Sequence, residues 1–145
     1  MSLKNNYFHY WVDSKKDEEI KKFQECIDSY IYFKKDSMVI TNKLIRENRN
    51  FQAPKLLKTF LLLFSRDINK LTLAKDTIKS ISVDNINNHF HKYLEVAKLW
   101  INNDLKNLLN KLELIIKENP KDIFAIRLFH FNCLLYTSPS PRDRG

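Results

Sequence analysis

Glycine is almost missing from this chain: the one example in 145 residues is Gly145, the last. Without glycine the tight turns that need positive φ must be made by other residues, asparagine first among them. A hairpin-rich β fold is thereby excluded. Cysteine is nearly as scarce, and Cys26 and Cys133 cannot make a disulfide framework, which points to a reducing compartment. Long apolar runs are lacking too. The longest, FLLLF at 60–64, is far short of a membrane span, and MSLKNNYFHYW at the start has no continuous apolar stretch of the signal-peptide kind. The expectation is a soluble, cytoplasmic protein. Glycine-rich phosphate loops, HExxH, CxxC and the nucleophile elbow are absent, which removes the sequence patterns that most directly announce phosphate, zinc or acyl-transfer chemistry. No catalytic residue, cofactor or metal site is expected.

What is present is helix-forming and basic. Hydrophobic residues make up 43% of the chain, enough for one domain with a real core. The formal charge is +8, a balance that in other contexts marks a nucleic-acid partner. Here lysine supplies most of it, in pairs such as Lys15-Lys16, Lys21-Lys22 and Lys34-Lys35 and in singles interleaved with acids. That distribution fits solvated helix faces better than one basic stripe. Together with abundant Asn and Ile it also has the stamp of an AT-rich coding sequence.

The end of the chain differs in character. CLLYTSPSPRDRG holds Gly145 together with Pro139 and Pro141, two of the four prolines. One allowed reverse translation of Cys133 to Asp143 resembles the transposase end and adapter of sequencing libraries. Residues 133–145 are therefore read as an adapter-derived tail, set apart from fold reasoning as fusion scars are. Residues 1–132 are read as the N-terminal part of a longer helical array.

Seven helices are expected. The face Ile20, Phe23, Ile27, Tyr30 and Ile31 predicts a first helix over about 15–35, opened by Ser14 and Asp17. Asp36 and Ser37 offer a cap for a second helix carrying Val39, Ile40, Leu44 and Ile45. Pro54 suits the first turn of a third, KLLKTFLLLFSR, apolar nearly all round and so destined to lie between neighbours. A fourth, about 71–82, shows Leu73, Ala74, Ile78 and Ile81. Asp84 is the expected cap of a fifth, whose stripe Phe90, Tyr93, Leu94, Ala97, Trp100 and Ile101 is the strongest periodicity in the chain. After Asn102 and Asn103 comes a sixth with Leu105, Leu108, Leu109, Leu112, Ile115 and Ile116, folded back on the fifth as an antiparallel hairpin. Pro120 ends it, and a seventh helix starts at Lys121-Asp122.

LIREN at 44–48 and IIKEN at 115–119 stand 71 residues apart, close to two units of the roughly 34 residues of a tetratricopeptide repeat. The expected fold is thus all-α, a tetratricopeptide-like solenoid of about seven antiparallel helices. WINNDLKNLLNKLELIIKENPKDIFAIRLFHF at 100–131 resembles the tetratricopeptide repeat protein 38 family, with Pro120, Asp122, Ala125, Ile126, Arg127 and His130 on its motif positions. EEIKKFQECIDSYIYFKKDS resembles that family's first helix, so the likeness covers about 17–132. The chain departs from the family at NRN (48–50), at the glycine-free third helix, and at Phe131, where an Asp often follows the histidine. The resemblance implies a longer helical-repeat protein with no established enzymatic reaction.

The function this supports is a non-enzymatic protein–protein interaction scaffold that takes a protein or peptide in its concave groove. The alternatives are a lysine-rich RNA-binding module, with nucleic acid the less favoured partner, and the N-terminal part of an enzyme whose site lies elsewhere. Individual candidates read as structural. His89 and His91 are two residues apart on a helix, so their rings diverge and do not make a metal pair. Cys26 reads as a small buried hydrophobe, Trp11 and Trp100 as core rather than a base-stacking platform, and His130 as a packed, hydrogen-bonded histidine. Ile123, Phe124, Leu128, Phe129 and Phe131 on the last helix are expected to leave an uncovered patch through which the chain self-associates.

Overall fold

The computed structural model describes residues 11–31, 36–84 and 86–137. These form seven helices and no strand: α1 Asp17–Ile31, α2 Ser37–Glu47, α3 Ala53–Phe64, α4 Ile68–Lys79, α5 Asn88–Ile101, α6 Leu105–Glu118 and α7 Ile123–Thr137. Each helix packs against the next along most of the chain, giving the hairpins α1/α2, α3/α4 and α5/α6, with α7 laid against α6. α3 is enclosed by α1, α2, α4 and α5, as its all-round apolarity requires. α7 runs unbroken past the Asn132–Cys133 junction to Thr137. The remainder of the proposed adapter-derived tail, 138–145, lies outside the described residues, as do 32–35 of the expected first helix.

The polar residues between helices explain most boundaries. Ser14 accepts from the Lys16 amide and donates to Glu19 at 2.5 Å, and α1 begins at Asp17. Asp36 precedes α2, but its carboxylate accepts from the Ser29 hydroxyl instead of capping the helix. Asp67 caps α4 through the Asn69 amide. The expected cap of α5, Asp84, is displaced by Asn87, whose side chain accepts from the Phe90 amide at 2.8 Å while Asp84 accepts from Ser82. The physical reason is position: Asn87 stands in extended backbone immediately before the first helical residue, where a side-chain oxygen reaches the third amide. Asn103 takes positive φ, 59°, at the α5/α6 turn, as the want of glycine requires, and Arg66 does the same after α3 at 58°. A bulky residue in that region costs roughly 1 kcal/mol. At Asn119 the backbone leaves the helical region before Pro120, and α6 stops.

α2 and α4 bury less of their apolar sets than their sequences suggest. Val39 in α2 and Leu73 in α4 were expected to face inward and are 67% and 52% exposed. Both helices pack by narrow seams: Thr41 and Leu44 are the buried residues of α2, and Ala74 that of α4. α5 and α6 follow their predicted stripes closely, with Leu108, Leu112 and Ile115 fully engaged and Leu109 half-buried. Lys92 with Glu118, and Lys111 with Glu95 at 2.7 Å, bridge the outside of that hairpin.

The centre of the core is not inside any hairpin. Trp11, wholly buried, meets Phe23 of α1, Phe60 of α3, Tyr93 of α5 and Phe124 of α7, with ring centroids 4.5–6.0 Å apart. All the odd-numbered helices therefore converge on one indole. α7 also reaches back to the first hairpin: Arg127 donates to the Ile31 carbonyl at 3.1 Å, and Phe124 packs on Tyr30. Beyond neighbour-on-neighbour stacking, the last helix thus touches the first.

Candidate functional site

In a helical-repeat array the shared face of the first helices is the usual place for a partner. Here the point where α1, α3, α5 and α7 converge is filled by the chain's own segment Trp11–Val12–Asp13. The Trp11 indole N–H donates to the Ala53 carbonyl at 3.4 Å, and the Val12 carbonyl accepts from the Asn87 amide group at 3.3 Å. The Asp13 carboxylate accepts from the Gln52 and Ala53 backbone amides at 2.9–3.1 Å. Asp13 thereby caps α3 from forty residues away, and burial pushes its carboxyl above the ordinary aspartate value against the pull of those amides. Gln52 extends the tie by accepting from the Ser82 amide. Asp13→Ala leaves two amides at the start of α3 without acceptors. The expected loss is about 1–2 kcal/mol, with Asp13→Asn losing less; thermal melts of the two variants against the parent chain check it.

The family-motif residues divide between two places. Pro120, Asp122 and Ala125 build the α6/α7 joint. Asp122 is fully buried, accepts from the Ala125 amide at 3.1 Å and receives the Tyr93 hydroxyl on its other oxygen. Burial pushes its carboxyl up to about 6, and the Tyr93 and backbone hydrogen bonds only partly oppose this. A carboxyl poised there has the acidity of a catalytic acid, yet its oxygens are sealed between a phenol and a helix start. What it does is fix α7 on α5.

Arg127 and His130 lie on the other side of α7. They border a shallow groove of about 530 Å³ together with Tyr30, Ile123, Ile126, Phe131 and Leu134. His130 is exposed, not packed as expected, because Phe129 and Phe131 on either side take the partly buried positions. Phe131, standing where the family often has Asp, packs on Phe64 and Trp100 at 4.9 and 5.7 Å, so no carboxylate follows His130. Of the expected uncovered patch, Phe124 and Leu128 are fully buried, Phe129 and Phe131 are half-buried and Ile123 is exposed, so only part of that surface is left open. His89 is half-buried and His91 exposed. Among the described residues no three metal-ligating side chains come together. Cys26 is buried, and that burial raises its thiol to about 11, far from nucleophilic.

Sequence reading placed Trp11 in the core without finding what it organises. A signal was available: Phe23, Phe60, Tyr93 and Phe124, the rings around it, follow one another at 37, 33 and 31 residues, near the period of the repeat. Comparison with protein-family models, curated proteins and solved structures returned no match.

Proposed function

We propose that the chain is a tetratricopeptide-like helical-repeat module that acts by binding a protein rather than by catalysis. It is read as related to the tetratricopeptide repeat protein 38 family and as working in the cytoplasm. The supporting observation is the recurrence just described: the first helix of each hairpin, and α7 as the first helix of a further unit, sends one ring to Trp11 at intervals near the repeat length. The buried state of Asp122 and Cys26 favours a structural over a catalytic use of both. Because Trp11 fills the point where the odd-numbered helices converge, the binding surface is better sought on the outside of the array than in the concave groove first expected.

The RNA-binding reading draws on Lys75, Lys79 and Lys98, which border a cleft of about 220 Å³ with Ile78 and Ile101. Lys79 and Lys98 occupy the last turns of α4 and α5, where a cation complements the helix dipole and needs no phosphate to account for it. Two titrations separate the readings: a short single-stranded RNA and a set of amphipathic helical peptides, each followed by fluorescence anisotropy over a range of salt. Peptide binding is expected to be saturable and to persist at physiological salt, whereas RNA binding is expected to be weak and to collapse as salt rises. RNA affinity that survives physiological salt, with the peptides silent, reverses the assignment.

A further inference from the structure

We infer that the cleft between α4 and α5 is a docking site for an acidic segment of a partner protein, one that seats a single large aliphatic side chain between flanking carboxylates. This rests on the protein-binding reading above and names its site and partner chemistry.

The lining of this cleft combines three lysines with aliphatic carbon. Lys75 and Lys79 come from α4 and Lys98 from α5, around Ile78 and Ile101. All three lysines are exposed, and among the described residues their ammonium groups make no hydrogen bond or ion pair, whereas Lys92 and Lys111 are paired with glutamates across the α5/α6 hairpin. Asp76, beside Lys75 in the chain, enters no ion pair either. The helix dipole accounts for Lys79 and Lys98, which stand in the last turns of their helices, but not for Lys75, one turn earlier. Three like charges brought to one cleft repel one another, and among the described residues the lining holds no carboxylate to offset them. Ile68, 74% exposed, stands at i to the i+7 and i+11 of Lys75 and Lys79, so it shares their face of α4 and carries apolar surface beyond the cleft.

Size and chemistry select the occupant. The cleft holds about 220 Å³, less than the ~300–1,000 Å³ of small-molecule sites, which suits one large side chain rather than a cofactor. Ile78 and Ile101 favour an aliphatic one, and carboxylates on either side of it meet the lysines. The chain as a whole carries +8, so an acidic partner is drawn in from a distance as well. RNA fits less well, because among the described residues the lining has neither an aromatic ring to stack a base nor an arginine to fork a phosphate. A second copy of this chain is disfavoured by the same overall charge. Its own acidic run, Asp17, Glu18 and Glu19, leads into Ile20, which packs against the core and is not free to serve as the anchor.

The test uses the full chain and three synthetic peptides: a leucine flanked by glutamates, the same peptide with glutamine for glutamate, and the same peptide with serine for leucine. The glutamate–leucine peptide is expected to bind about tenfold more tightly than the glutamine peptide, the combined effect of exposed charge contacts. It is expected to exceed the serine peptide by about tenfold as well, from the burial of one leucine. Lys75→Glu combined with Lys79→Glu is expected to weaken it at least about tenfold. Lys21→Glu combined with Lys106→Glu, on α1 and α6, changes the net charge by the same amount and is expected to leave binding within about twofold. All four lysines are exposed, and circular dichroism confirms that the variants keep their helices. Equal weakening by the two pairs makes the attraction a property of net charge and overturns the site. A glutamine or serine peptide that binds as tightly as the first overturns the occupant. Silence of the glutamate–leucine peptide, while the amphipathic helical peptides bind, overturns the inference and leaves the protein-binding reading standing. Silence of every peptide, with a short single-stranded RNA held through Lys75 and Lys79, overturns both. A dimer in sedimentation that the Lys75→Glu, Lys79→Glu pair abolishes makes a second copy the occupant, against the proposal.

Discussion

Trp11→Ala is expected to abolish the cooperative unfolding transition of the whole chain or to lower its stability by roughly 3–5 kcal/mol, a large share of the ~5–15 kcal/mol typical of a domain. The argument is geometric. The indole touches one ring from each of α1, α3, α5 and α7, so its removal opens a void that borders every first helix at once. In an array held only by neighbouring pairs, a core truncation loosens one interface and spares the others. Here the four odd-numbered helices share a single filler. Trp11→Phe retains part of the packing and loses the N–H bond to the Ala53 carbonyl, so it falls between the parent and the alanine variant. Trp100→Ala, at the rim against Phe64 and Phe131, is expected to cost less. Urea titrations followed by helical circular dichroism rank the three. A Trp11→Ala midpoint equal to that of Trp100→Ala sinks the idea of a common centre.

That centre also shows where sequence and structure part company. The hairpin α5/α6 was legible because its apolar stripes are long and regular, and its turn has Asn103 where positive φ is needed. Pro54 and Pro120 marked helix boundaries for reasons local to the backbone. The caps were read less well, since Asp84 and Asn87 compete for the same helix and only the fold decides which oxygen reaches the Phe90 amide. Val39 and Leu73 have the right residue type and period, but which side of a short amphipathic helix meets its neighbour is set by tertiary packing. Asp13 was invisible for a stronger reason. Its partners, the Gln52 and Ala53 amides, are distant in sequence, and no local pattern connects a carboxylate with a helix start on another hairpin. Of the motif residues, Asp122 and His130 look alike as polar marks in an apolar text. The structure buries the first in the α6/α7 joint and leaves the second on the outside.

Asp122 carries the other large effect, and its sign depends on pH. The carboxyl is pushed up to about 6 in the folded chain, chiefly by burial, from an ordinary 3.8. A raised carboxyl means that the folded state holds the proton more tightly than the unfolded state. Its contribution to stability is therefore greatest below about pH 4, declines as pH rises through about 6, and stays low above that; the full swing is roughly 3 kcal/mol. Asp122→Asn removes the titration and keeps an acceptor for the Ala125 amide at the start of α7. The asparagine variant is expected to equal or exceed the parent in stability at neutral pH and to fall behind it below about pH 5. Comparing the two proteins at each pH cancels the titration of the other carboxyls, including Asp13, whose raised value acts in the same direction. Asp122→Ala removes the acceptor that the Tyr93 hydroxyl and the Ala125 amide share, and is expected to cost about 2–4 kcal/mol even at neutral pH. Denaturant unfolding of the parent and both variants between pH 4 and 8 reads all of these. Parallel pH profiles for the parent and Asp122→Asn would show that the buried carboxyl titrates as an ordinary aspartate, and the Tyr93–Asp122 contact would then lose its place as the pin that holds α7 on α5.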